Sequence, residues 1–425
     1  MKFETKCVQA GWDPKNGEAR VPPIYQSTTF KFDSAQHVAD LFDLKVGGHF
    51  YTRLSNPTLD CVEQRIAALE GGVGAMLTSA GQAASMISLL TLAHAGDHIV
   101  SSSEIYGGTV NLFGVTLEKL GIAFTWVHPD ASDEEIEAAI RPNTKAIFGE
   151  TLANPALSVL DVARWAKVAH RNGLPLILDN TFPTPYLCRP FEWGADVVVH
   201  ASTKYLDGHA VSLGGIIVDS GNFDWAASGR FPDFTEPDPS YHGLVYTQAF
   251  GRMAYIVKAR AQLMRDMGAQ AAPFNAFLLN LGMETLPLRM ARHSENALRV
   301  AQWLADDPRV RNVRYPGLKG DRYHALAQKY LPQGASGVVT FEVDGSRADT
   351  QRLMDAFKLA KIVVHVADAR TCVLHPASMT HRQLTDEQLV AAGISPTTVR
   401  FSCGIEHIDD ILEDLDQAFA KALPR

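Results

Sequence analysis

Between residues 74 and 219 the chain alternates short apolar, β-branched runs with segments of helical periodicity, and that alternation leaves few folds open. The runs are GAMLTS, DHIVSS, AFTWV, TKAIFGE, PLILD, DVVVH and GGIIVD. Strands separated by helices pair most readily side by side and parallel, with the helices covering the sheet. The spacing therefore predicts an α/β fold built on a mostly parallel sheet. Ser132 and Glu135, at the head of SDEEIEAAI, form the pattern of a capping box. A helix after Asn56-Pro57, with Leu59, Val62, Ile66 and Leu69 at helical spacing and Gly71-Gly72 as its stop, opens this large domain.

The flanks read differently. Residues 1–57 are rich in Pro, Gly, aromatics and polar turns without sustained periodicity, which predicts an extended arm with at most short elements. Residues 221–250 are Pro- and aromatic-rich and read as a long loop, a length that tends to be functional or mobile. A second α/β unit follows Leu286, with the helix ARHSENALRVAQWLA, strands around Val313, Val338 and Val363, and a closing amphipathic helix over 409–422. The expected division is an arm over 1–57, a large domain over 58–255 and a smaller C-terminal domain over 256–425.

Composition narrows the function. Hydrophobic content of 46% and charged content of 20% describe an ordinary globular chain, long enough at 425 residues to bury a large core. A net charge of −8 without a basic stripe disfavours nucleic acid as a partner and leaves a small molecule. Cys7, Cys61, Cys188, Cys372 and Cys403 are odd in number and scattered, which reads as reduced thiols in the cytoplasm. MKFETKCVQAGW has no apolar leader core, and no apolar stretch approaches a membrane span, so secretion and insertion are both disfavoured. His200 and His209 flank a lysine without metal-ligand spacing, so packing and hydrogen bonding are expected of them, and no metal.

The chemistry centres on Lys204. It follows the run DVVVH in STKYLDGH, with Ser202 and Thr203 beside it, and Asp179 ends the run PLILD upstream. A lysine at a strand end can form an imine with an aldehyde cofactor, and a strand-end aspartate can keep a pyridine nitrogen protonated. Pyridoxal 5′-phosphate (PLP) requires that pairing. Ala80-Gly81-Gln82, where a strand runs into a helix, reads either as a phosphate cup or as a plain turn. Tyr51 and Arg53 sit two residues apart and, on an extended arm, would point the same way and clamp a phosphate. Tyr106, just past a strand, would stack on a planar ring or fill the core. Arg400 ends a β-branched run and offers a bidentate fork to a carboxylate.

The motifs YTRLSNPT, SAGQAA, IYGGT, ETLANP, DNTF, STKYLDGH, HPASMTH and VRFSCGIE occur in an order that resembles the Cys/Met-metabolism PLP enzymes of fold type I. The resemblance spans almost the whole chain. It implies a PLP-dependent transferase fold with Lys204 as the Schiff-base lysine, Asp179 as the pyridinium partner and Tyr106 as the stacking ring. It likewise implies a phosphate-binding turn at Gly81 and Gln82, with Ser202 and Thr203 among the cofactor contacts. Tyr51 and Arg53 would reach the phosphate of a neighbouring subunit, in a tetramer made of two dimers. Asn154 would contact the cofactor or the substrate carboxylate, and Arg400, with the backbone near Thr371, would bind that carboxylate.

Gly107-Gly108, the TEPDPSYHG loop and the NAFLLNLGMETLPLRMARHSENAL stretch look like the O-acetylhomoserine sulfhydrylase branch. The implied reaction is γ-replacement on O-acetyl-L-homoserine by sulfide, giving L-homocysteine and acetate. Methionine or cystathionine γ-lyase and cystathionine γ-synthase chemistry are the alternatives, although γ-lyases of methionine typically carry a cysteine where this chain has Gly108. A nicotinamide oxidoreductase is disfavoured because no Gly-x-Gly-x-x-Gly follows a strand. A scaffold that merely kept the fold would have lost Lys204 or Asp179. Two departures stand out: Ala201 replaces the family's usual serine three residues before the lysine, and Ala367 in HVADART replaces a common glycine.

Overall fold

In a computed structural model, which describes residues 1–379, 382 and 395–423, the seven apolar runs form one seven-stranded sheet. Its strands are β1 (Gly74–Thr78), β2 (His98–Ser102), β3 (Ala123–Val127), β4 (Thr144–Glu150), β5 (Leu176–Asp179), β6 (Val197–His200) and β7 (Gly215–Asp219). They lie in the order β1-β7-β6-β5-β4-β2-β3. Every pair from β6 through β3 is parallel, whereas β7 runs antiparallel to both β6 and β1.

Alternate residues of the central strands enter different cores, as the two-residue period of a strand demands. Val198, Leu176 and Leu178 join one cluster, and Val197, Val199 and Ile177 join the other. A sheet buried on both faces explains why these strands read as unbroken apolar runs rather than as alternating ones. Parallel pairing also carries the carboxyl ends of β2, β4, β5 and β6 to one edge of the sheet, the edge at which open α/β sheets bind ligands.

Local signals in the sequence are realised at the helices around the sheet. Helix Pro57–Glu70 begins with Asn56 accepting a hydrogen bond from the Thr58 amide and ends at Gly71, whose φ of 85° only glycine adopts freely. Ser132 and Glu135 form the capping box on helix Asp133–Ala138. The 221–250 segment differs from the loop expected of it. It folds into short turns, Trp225–Ser228, Pro232–Thr235, Pro239–Tyr241 and Tyr246–Phe250, that bury Trp225, Phe231, Phe234, Tyr241 and Tyr246. Trp225 lies nearly parallel to Phe234 at 4.7 Å and to Tyr255 at 5.4 Å, so the aromatics that looked like loop residues are core residues. Residues Ala254 to Met264 pack in the same core.

The second sheet has the order β10-β11-β12-β9-β8, from β8 (Val310–Arg314), β9 (Val338–Val343), β10 (Lys361–Ile362), β11 (Cys372–Leu374) and β12 (Thr398–Ser402). Helices Leu286–Asp306, Arg347–Ala356 and Ile408–Ala422 accompany it. The arm is mostly irregular, with helices at Phe3–Gln9 and Ala35–Phe42. Its first turns lie on helix Pro57–Glu70, where Lys6 Nζ donates to Ala68 O at 2.9 Å and Arg65 Nε to Ala10 O at 2.8 Å. Among the described residues no helix is long and apolar enough to cross a membrane.

Candidate active site

Lys204 sits in the turn after β6, its amide donating to Ala201 O at 3.1 Å. Its Nζ lies 3.2 Å from His365 Nδ1. Burial lowers the amine to about 8, the Arg400 charge pushes the same way, and Cys372 opposes them. Asp179 ends β5, where its carboxylate accepts from the Thr181 amide at 2.9 Å and from the Thr181 hydroxyl. That hydroxyl in turn accepts from the Ala201 amide at 2.8 Å, so the aspartate and the lysine turn are tied through one threonine. Burial raises the Asp179 carboxyl and the Thr181 bonds pull it down.

Glu150, which sequence reasoning passed over, closes β4 in register with Asp179. Its Oε1 accepts the Tyr106 amide at 2.7 Å and its Oε2 the Asn154 amide at 3.1 Å. One carboxylate therefore fixes the backbone of two expected site residues. Burial first, and the Asp179 charge second, hold Glu150 well above the usual carboxylate range. The signal for it was its place at the head of ETLANP, as the last residue of the apolar run TKAIFGE.

Helix Gly81–Leu90 starts at the same edge of the sheet, and its N-cap, Ala80, makes no side-chain capping bond. The first-turn amides therefore have no side-chain cap, which suits such a helix start to an anion. A Cβ on Gly81 would come within 2.6 Å of Ala201 Cβ and 2.8 Å of its Cα. Ala201 is thus the residue packed on the helix start. Ser202 and Thr203 lie against Gly214 instead: the Thr203 hydroxyl both donates to Gly214 O and accepts from its amide at 3.1 Å. The Thr109 hydroxyl donates to Gln82 Oε1 at 3.4 Å, which brings the Tyr106 turn beside Gln82. Tyr106 is 49% exposed.

The second sheet contributes Arg400 from β12. Its Nη1 donates to Asn154 Oδ1 at 3.3 Å and its Nη2 to His365 O at 3.0 Å, and burial lowers its pKa. Thr371, directly before β11, bonds a different partner: its amide donates to Glu406 Oε1 at 2.7 Å and its hydroxyl to Glu406 Oε2 at 2.8 Å. Tyr51 makes an antiparallel bridge with Thr29 and Arg53 lies in the turn that follows it, with the Arg53 guanidinium 5.1 Å from the exposed Tyr51 ring. His200 bonds Glu70 at 2.7 Å and His209 the Asp207 carbonyl at 2.6 Å. Thr380 and His381 of HPASMTH lie outside the described residues.

Comparison with known proteins decides the family. The profile of the Cys/Met metabolism PLP-dependent enzymes matches residues 4–420. The chain belongs to this family. The cofactor of a Cys/Met metabolism PLP-dependent enzyme is pyridoxal phosphate, and the mixed sheet with its helices is the fold type I architecture. The chain is 47% identical to the O-acetyl-L-homoserine sulfhydrylase of Leptospira meyeri, covering 98% of this chain and 96% of that one. It is 47% identical to the homocysteine synthase of Schizosaccharomyces pombe, over 99% and 98%. A crystal structure from Campylobacter jejuni, assigned as an O-acetylhomoserine (thiol)-lyase and carrying N′-pyridoxyl-lysine-5′-monophosphate, superposes with a TM-score of 0.95 at 37% identity, covering 98% of this chain and 99% of that one.

Proposed function

We propose that this family member joins O-acetyl-L-homoserine to sulfide, releasing acetate and forming L-homocysteine. The observation that carries the reading is the likeness, nearly end to end, to proteins named for that reaction.

The residues present fit pyridoxal phosphate. The uncapped turn at Gly81 and Gln82 suits its phosphate, the open Tyr106 ring one face of its pyridine, and Asp179 the ring nitrogen. Lys204 Nζ is the covalent anchor, and Ser202 and Thr203 serve by fixing its turn against Gly214. When bound, the cofactor supplies an electron sink for charge developing at the substrate Cα. A cationic partner draws the buried Asp179 carboxyl back to its charged form.

Arg400 receives the α-carboxylate of the amino-acid substrate, its guanidinium aimed by Asn154 Oδ1 and His365 O. Lys204 Nζ, with a pKa near 8, is neutral often enough at working pH to take the Cα proton and basic enough to return it. Glu150 holds Tyr106 and Asn154 in place throughout. The exposed Tyr51 and Arg53 reach the phosphate of a neighbouring subunit, which makes the working unit a dimer and its pairing a tetramer. Five unpaired thiols suit a cytoplasmic setting.

Purified protein given O-acetylhomoserine and sulfide is expected to form homocysteine well in excess of 2-oxobutanoate, and to cleave methionine slowly or not at all. Rapid 2-oxobutanoate formation from methionine, with little homocysteine from the ester, would make the chain a γ-lyase.

A further inference from the structure

Among the described residues His365 is the side chain that meets the Lys204 amine, and the arrangement around it is built rather than incidental. Its carbonyl is gripped by Arg400 Nη2 at 3.0 Å and approached by Cys372 Sγ at 3.7 Å, and two residues on the Ala367 amide donates to Ser402 Oγ at 2.9 Å. The backbone is therefore fixed on β11 and β12, and Nδ1 is delivered to 3.2 Å from Lys204 Nζ. The other ring nitrogen, Nε2, is buried without a hydrogen-bond partner among the described residues. Burying an unpaired polar atom is destabilising, and a leucine would fill such a space without stranding one. The ring is explained by what Nδ1 does.

We propose that His365 is a positioning residue for Lys204, its Nδ1 accepting a hydrogen bond from the lysine ammonium whenever Nζ carries a proton and so keeping the amine aimed at the substrate. This rests on the function proposed above. Burial and then the Lys204 charge take the imidazole down to about 4, with Arg400 pushing the same way and Asp368 and Asp207 opposing. A ring at about 4 beside an amine at about 8 stays neutral: it receives a hydrogen bond but does not keep the proton. An acceptor facing an ammonium favours the charged form, against the lowering by burial and Arg400 and alongside the raising by Cys372.

The test is the pH dependence of Lys204 acetylation by acetic anhydride, read by peptide mass spectrometry on the full chain freed of pyridoxal phosphate. The parent midpoint is expected near 8. It should fall by about one pH unit in His365→Leu and in His365→Ala, and return in His365→Asn, whose Oδ1 can stand where Nδ1 stands. After reloading with cofactor, kcat should drop roughly tenfold in the leucine variant with little change in KM, and recover in the asparagine variant. A Lys204 midpoint that is the same in the parent, the leucine and the alanine variants overturns the proposal. The labelling does not depend on which ester is turned over. A parent that makes no homocysteine would overturn the reaction while leaving His365 in its role, and an unmoved midpoint would do the reverse.

Discussion

Glu150 and Asp179 are register partners at the ends of two parallel strands, β4 and β5, so two buried carboxyls share one edge of the sheet. Burial raises both; side-chain and backbone donors from Thr181 offset it at Asp179, and backbone donors alone at Glu150. The glutamate spends its two oxygens on the amides of Tyr106 and Asn154.

Glu150→Gln should leave one of those amides without an acceptor, a cost of about 1–3 kcal/mol for a buried donor, and lower kcat/KM roughly tenfold or more. The pH dependence has a definite sign. A carboxyl raised by folding contributes stability that is present below its unfolded pKa and lost as pH rises through the folded value. Glutamine cannot ionise, so melts of the cofactor-free chain should show the variant's deficit shrinking as pH rises above the ordinary carboxylate range. A deficit that grows with pH would mean that Glu150 is charged in the fold.

Lys204→Met should abolish turnover and remove the visible band of the bound cofactor. Its effect on the cofactor-free fold runs with pH. An amine depressed from 10.5 to about 8 contributes stability that is present above 10.5 and lost as pH falls through about 8. Below that point the parent buries an ammonium, and the methionine variant should be the more stable by at most roughly 3 kcal/mol in denaturant titrations. Equal stabilities at low pH would mean that the ammonium is solvated.

Gly81 and Ala201 make opposite predictions at one contact. Gly81→Ala forces its new Cβ onto Ala201, including the backbone Cα at 2.8 Å, so the helix start must shift and cofactor affinity should fall. Ala201→Ser adds a hydroxyl beside the uncapped turn, and a hydrogen bond to a charged group contributes about 1.5–3 kcal/mol, so the affinity should rise. Titration of cofactor-free protein reads both. Unchanged binding in Ala201→Ser would mean that the phosphate already has its donors.

Mixing an Arg53→Ala chain with a Lys204→Ala chain should restore part of the activity that each lacks alone, because one hybrid site then receives both intact residues. Native mass spectrometry would establish that the subunits had exchanged. Exchange without recovery would place Arg53 in its own chain's site.

The sheet was legible in the sequence because each strand carries its own signal: VVVH and LILD are apolar on both sides since both faces are covered. Lys204 and Asp179 were legible for the same reason, as polar residues ending such runs. Glu150 ends such a run too, yet one of its two partners, like the partner of His365, is remote in sequence and left its role unread. Tyr106 lies 44 residues from Glu150, and His365 lies 161 from Lys204. The 221–250 segment misled because its prolines and glycines mark turns while its aromatics fill a core formed by other parts of the chain, and local periodicity carries no record of that. Thr371 was placed near the substrate carboxylate by the family resemblance, and the bonds of its amide and hydroxyl to Glu406, 35 residues on, are not recorded in local sequence.

Gly108 binds the history of three positions together. A Cβ there would lie 2.5 Å from Tyr106 Cε1 and 2.8 Å from Gln82 Nε2. Mutational drift at this position is therefore not free. A larger residue there requires the tyrosine ring and the glutamine side chain to shift, so exchanges at the three positions are expected to be coupled, and a single exchange at Gly108 should behave worse than the same exchange made together with its two neighbours.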